Sequence, residues 1–293
     1  MFATRETATA SSDRVEAHTT MKIRIGYEIG YQSAGRTPML LMLSVHPSRL
    51  PDLLMPHRLD FDPPIPATGY RDCYGNICTR IVAPEGRLTI SADMIVTDPG
   101  TPDIVEPQAP QHPVEYLPEE ALLFLLGSRY CETDRLSDIA WSLFGTVSPG
   151  WARVQAIVDF VHEHIVFGYE HARSTKTAWE AYHERCGVCR DFTHLAVTLC
   201  RCMNIPARYC TGYLGDIGVP SDPAPMDFSA WFEVYLGSGW YTFDARHNQP
   251  RIGRILIARG RDAADVPIST AFGQSTLSEF TVVTHELVDE TLP

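Results

Sequence analysis

Apolar and polar positions change rhythm several times along the 293-residue chain. The first twenty residues (MFATRETATASSDRVEAHTT) are rich in Thr, Ala and Ser and show no periodicity, so 1–20 read as a disordered extension. Two-residue alternation then sets in. KIRIGYEIGYQ and GRLTISADMIVTDPG alternate apolar with polar residues, PMLLMLSVHP is a continuous apolar run, and turn chemistry stands at 72–76 (DCYGN) and 83–86 (APEG). This pattern predicts an N-terminal antiparallel β-sandwich-like domain over 21–98. Residues 99–118 carry six prolines and little apolar periodicity, the composition of an extended linker.

Beyond 118 the period lengthens. Trp151, Val154, Ile157, Val158, Val161 and Ile165 recur at three- and four-residue steps and predict an amphipathic helix. A second follows Cys189, with Phe192, Leu195, Ala196, Leu199 and Met203 on one side, Arg190, His194, Thr198 and Arg201 on the other, and an end before Pro206. Three strand-like runs come next, ARYCTGYL, AWFEVYL and WYTFDA, the last two joined by a turn at Gly237–Gly239. Helices followed by strands give an α+β class, with helices packed on an antiparallel sheet over 119–293.

Twenty-four basic against thirty-six acidic side chains leave a formal charge of −12, which argues against nucleic acid and against an anionic membrane surface as partners. No apolar run is long enough to span a bilayer, and residues 1–20 lack the apolar stretch of a secretory signal. The expected location is cytoplasmic. Eight cysteines are too few for a disulfide scaffold in a chain of this length, but Cys186, Cys189, Cys200, Cys202 and Cys210 crowd one segment.

Cys189 follows Gly187-Val188 and opens a helix, where unpaired N–H groups and the helix dipole favour thiolate over thiol. It is a candidate nucleophile, or else a small buried apolar residue. The string from Gly187 to Leu214, followed by AWFEVYL and GWYTFDARHN, resembles the core of the transglutaminase-like superfamily of papain-fold cysteine acyltransferases and proteases. The residues that carry the resemblance are Gly187, Cys189, Pro206, Ala207, Arg208, Gly212, Tyr213, Ala230, Trp231, Glu233, Trp240 and Asp244. The β domain is similar to the N-terminal region of bacterial members through Leu43–Pro47 and Asp72–Asn76, so the resemblance spans roughly 22–250.

What the resemblance implies is a Cys nucleophile at Cys189 and an orienting carboxylate at Asp244, with no cofactor or metal. The substrate would be a protein, a peptide or a small amide. The family's His, directly before the Ala-Trp pair, is replaced here by Ser229, whose hydroxyl cannot act as a base near neutral pH. Three readings follow. His247, three residues beyond Asp244, supplies the imidazole; or the thiolate works without a protein base; or the fold is a catalytically silent binding module.

Other constellations are weaker. Cys186 and Cys189 form a C-x-x-C suited to a redox pair, though no βαβ unit surrounds it. Zinc is disfavoured because Cys200 and Cys202 point to different faces of one helix. His162 and His164 read as surface residues, His194 as a poor substitute base, Trp179, Trp231 and Trp240 as core or groove aromatics, and Tyr169 and His171 as cleft candidates.

Overall fold

The computed structural model describes residues 20–288. The predicted disordered extension therefore lies outside the described residues, save its last position. Six strands come first: β1 (Met21–Ser33), β2 (Thr37–Leu41), β3 (Asp60–Asp62), β4 (Ala67–Arg71), β5 (Ile77–Ala83) and β6 (Gly86–Asp98). Then come α1 (Glu119–Leu122), α2 (Thr133–Phe144), α3 (Trp151–His164), β7 (Val166–Phe167), α4 (Ala178–Glu184), β8 (Cys186–Gly187) and α5 (Cys189–Cys202). The chain closes with β9 (Ala207–Tyr213), β10 (Ser229–Leu236), β11 (Gly239–Phe243), β12 (Ile255–Gly260), β13 (Ser269–Ala271) and β14 (Ser275–Leu287).

Alternation along β1 and β6 buries Ile23, Ile25, Ile29, Leu88 and Ile90 on one face, as period-2 patterning requires. These strands belong to an antiparallel sheet of order β14-β1-β6-β3, and a second sheet runs β13-β2-β5-β4. Inward residues of both sheets, such as Ile25 and Leu41, share one apolar cluster. The division expected at residue 118 misses the tail. β14 pairs with β1 over most of its length and β13 pairs with β2, so the last strands complete the N-terminal sheets instead of extending the later one.

The third sheet, β11-β10-β9-β12, is antiparallel throughout and packs against α5. Its far face joins the N-terminal cluster through Tyr209, Tyr213, Ile255 and Ile257. The α+β class expected from the sequence is the observed one.

Two expectations change. The helix after Cys189 is buried nearly all round, including His194, Thr198 and Arg201 on its supposedly polar side. Arg201 and Thr198 are tolerable there because they are bonded: Arg201 donates to the carbonyls of Ala207 and Leu126 at 2.8 and 3.0 Å, and the Thr198 hydroxyl donates to His194 O at 2.7 Å. The proline-rich stretch also packs. Trp151 N–H donates to Ala109 O, Gly237 N–H to Pro110 O, and Gln111 Nε2 to Met203 O. Prolines remove donors from this segment, but its carbonyls and side chains are used by the domain beside it.

No helix among the described residues is long and apolar enough to cross a membrane.

Candidate active site

α4 ends at Arg185 in the left-handed conformation (φ 55°), and the chain then enters β8, which pairs in parallel with β7. Buried Lys176 fixes this stretch by donating to Cys186 O at 2.9 Å and pairing with Glu184 at 3.1 Å. Gly187 is required by contact: a Cβ there would come within 2.6 Å of the Asp191 carboxylate. That carboxylate in turn accepts the Val188 N–H at 3.0 Å, closing the first turn of α5. Cys189 is thereby held at the first helical position, with its own N–H and that of Arg190 beyond the reach of intrahelical acceptors.

The thiol does not rest as a thiolate, contrary to the expectation from the helix dipole. Burial pushes Cys189 up to about 11, the Asp227 carboxylate adds to that, and Arg246 and the Ala230 backbone oppose it without prevailing. At neutral pH the sulfur holds its proton, so attack on a carbonyl needs a group to accept it.

Ser229 opens β10, directly across from Gly212 on β9, and is buried. Gly212 has no room for a side chain, since a Cβ would sit 2.2 Å from Ile255 O and 2.9 Å from the Trp231 ring. Ser229 and Cys189 line the same two cavities, together with Tyr169, Asp227 and Phe228.

Asp244 follows β11 and is buried. Its Oδ1 accepts the N–H groups of Arg246 and His247 at 3.0 and 3.1 Å, an Asx-type turn that carries the chain back over the carboxylate. Its Oδ2 faces His247 Nδ1 at 2.9 Å and accepts from the Arg254 guanidinium at 3.0 Å. Although burial works the other way, Arg254 and the His247 hydrogen bond hold this carboxyl well below the usual carboxylate range. An ionised carboxylate only accepts, so His247 Nδ1 carries the hydrogen of this contact, and in the neutral imidazole with that tautomer Nε2 is the acceptor. His247 lines the smaller cavity with Cys189 and Ser229.

The turn is anchored from behind. Asn248, at φ 48°, accepts from Gln155 at 3.0 Å and donates to Asp159 at 3.0 Å, and His162 Nδ1 lies 3.1 Å from Ala245 O. His162 thus supports the turn, and His164 stacks on Tyr182 and Phe160 instead of lying free on the surface.

Cys189, Ser229, Asp244 and His247 are therefore brought into one neighbourhood. Sequence reasoning missed Arg254, Asp103, Arg246 and Asp227. Arg254 is buried between Asp244 and Asp103, which it meets at 2.9 Å, and Asp103 lies in the proline-rich stretch where nothing local marks it. Arg246 has a signal, its place inside DARHN; its guanidinium covers the Phe167 ring at 3.8 Å and lines the smaller cavity. Tyr169 lines both cavities, as expected of a cleft residue.

His194 is fully buried, accepts the Ala263 N–H at 3.1 Å and stacks between Tyr130 and Tyr209. Desolvation holds it well below the ordinary imidazole value, so it stays neutral and structural. Trp231 is buried, whereas Trp240 lies under the Arg208 guanidinium at 3.9 Å. Cys186 and Cys189 are both free thiols. Among the described residues, no group of three or more His, Cys, Asp or Glu is placed to hold a metal ion.

With this geometry in view, residues 138–245 match the model of the Transglutaminase-like superfamily. A crystal structure of a candidate cysteine protease from Cytophaga hutchinsonii shares 30% identity and a TM-score of 0.80, covering 94% of this chain and 93% of that one. The chain belongs to the transglutaminase-like superfamily. It is also similar to an uncharacterised protein of Mycobacterium tuberculosis, at 27% identity over 231 residues, covering 72% of this chain and 74% of that protein. An uncharacterised Mycobacterium leprae protein is 34% identical over 90 residues, covering 30% of this chain and 32% of its own length. The superfamily match runs from α2 to the turn after Asp244, so it takes in α5, β9, β10 and β11 but stops short of His247.

Proposed function

We propose that the protein is a cysteine-dependent enzyme acting on amide or peptide bonds through a Cys189 thioester, with His247 serving where the family pattern would place an imidazole at Ser229. The observation that carries this reading is the His247 imidazole, held by Asp244 at 2.9 Å, on the wall of a cavity that Cys189 also lines. A thiol that holds its proton needs a base, and a neutral imidazole whose Nδ1 is held by Asp244 offers Nε2 as one. Membership in the superfamily, and likeness to a candidate cysteine protease over nearly the whole chain, support the same chemistry.

In this mechanism the substrate carbonyl lies against the start of α5, where the Cys189 and Arg190 N–H groups stabilise the oxyanion. His247 Nε2 takes the thiol proton as sulfur attacks the carbonyl carbon. The C–N bond then breaks and the amine leaves with that proton. Water, in a hydrolase, or a second amine, in a transferase, attacks the thioester, gives its proton to His247 and regenerates the thiol. Asp244 holds the tautomer and stabilises the imidazolium, and Arg254 and Asp103 hold Asp244.

The test is a pre-steady-state measurement with p-nitrophenyl acyl esters. A burst of p-nitrophenol equal to the enzyme concentration, with acyl mass on the Cys189 peptide, is expected. A correctly folded protein with no burst and no acyl adduct would mean a silent module on this fold.

A further inference from the structure

The two cavities that meet at Cys189 differ in size and in character. The smaller, of about 70 Å³, is lined by His247, Arg246, Arg251, Asp216 and Asp222. The larger, of about 540 Å³, has an apolar wall made by Val266, Ile268, Ala263, Phe228 and Phe280, and the two arginines that also line it, Arg173 and Arg190, are paired with Glu180, Glu184 and Asp191. Phe280 comes from β14 and Ile268 from the segment before β13, so the chain's return to the N-terminal sheets builds this wall. Phe228 packs edge-on against Phe280 at 5.8 Å, and Phe280 remains 39% exposed.

The chemistry orients a substrate across this pair. The leaving amine must receive its proton from His247, so it departs on the side that His247 lines. The acyl group then lies on the other side of the sulfur. A space of 70 Å³ accepts water or a small amine, whereas 540 Å³ accepts a large side chain.

We propose that the larger cavity is the acyl-side subsite and takes a bulky apolar side chain next to the carbonyl that Cys189 attacks. The substrate class is accordingly a primary amide or an acylated small amine with an aromatic or large aliphatic residue on the acyl side. This inference rests on the assignment of Cys189 and His247 made above. Ile268 and Phe280 set specificity by offering apolar area to a large side chain, while the guanidinium groups of Arg173 and Arg190 are held by the chain's own carboxylates and are not left for a substrate carboxylate.

The full chain is reacted at pH 7.5 with acetyl-phenylalanyl and acetyl-aspartyl chloromethyl ketones, and alkylation of Cys189 is followed by peptide mass spectrometry. Thiolate displaces chloride in both probes, so the rate ratio reports the acyl side alone. The phenylalanyl probe is expected to react at least about tenfold faster, the lower range for apolar-pocket discrimination. Ile268→Asp should bring the ratio below about threefold, and Phe280→Ser should lower it by a smaller factor. A wild-type ratio near one, or one favouring the aspartyl probe, overturns the proposal; so does a ratio unchanged in both variants. Iodoacetamide, which needs no subsite, separates the two layers. If it labels Cys189 no faster in the wild type than in His247→Ala, the nucleophile assignment fails and the subsite proposal falls with it. If that difference is present and the probe ratio is flat, only the subsite proposal is wrong.

Discussion

The start of β10 and the turn after β11 both border a cavity that Cys189 lines, yet they offer it different chemistry. At β10, Ser229 is fixed in register opposite Gly212, and its hydroxyl has no useful basicity near neutral pH. At the turn, two backbone N–H groups and a buried guanidinium ionise Asp244, and Asp244 in turn orients the His247 imidazole. The strand position is rigid because the ladder fixes it. The turn is rigid for a different reason: Asp244, Asn248 and Ala245 each bond to another part of the domain. A proton acceptor therefore depends on what lines the cavity, and a braced turn can present an imidazole as well as a strand can.

The most severe way to break this comparison is His247→Ala. It should slow acyl-enzyme formation from p-nitrophenyl esters by about 10²–10⁴-fold, the usual worth of general acid–base help, while Ser229→Ala changes it less than about threefold. Equal losses in the two variants would erase the distinction between the sites.

Next in size is Arg254→Met. Removing one member of a buried ion-pair network leaves Asp103 and Asp244 short of a partner and should cost about 3–5 kcal/mol, read as a lower midpoint in urea unfolding. Asp103→Asn keeps an acceptor for the guanidinium, so a smaller shift is expected. A midpoint unmoved by Arg254→Met would show that the turn holds itself.

A sharper variant puts the imidazole back on the strand. Ser229→His in a His247→Ala background should recover about tenfold of the lost rate, because Ser229 lines the same cavities as Cys189. No recovery in a folded double variant would mean that the strand position does not reach the sulfur.

The smallest effect concerns acid. Asp244 is held below its unfolded value, so its contribution is full above the ordinary carboxylate value of about 3.9 and is lost as pH falls through the folded value. Unfolding free energy measured from pH 6 down to pH 2 should fall more steeply in the wild type than in Asp244→Asn. Parallel curves would contradict the assignment.

Most elements were legible because their period is strong. Ile23 to Ile29 alternate, and Trp151 to Val161 repeat at helical steps. Cys189 and Asp244 were legible through their neighbours in sequence. The arrangement of the tail was not, because nothing within 269–287 says that its partners lie at 21–41. Asp103 was hidden for the same reason, its partner Arg254 being 151 positions away. The state of the Cys189 thiol was misjudged because a helix start argues for thiolate locally, whereas desolvation by the whole fold argues for thiol more strongly.

The central claim, that His247 accepts the Cys189 proton, is tested most directly by the pH dependence of Cys189 alkylation in the wild type and in His247→Ala. Both profiles should rise toward a midpoint about 11, the value burial sets for the thiol, but at neutral pH, where His247 takes the proton during attack, wild-type Cys189 should react with iodoacetamide faster than the variant. Superimposable profiles would contradict the account.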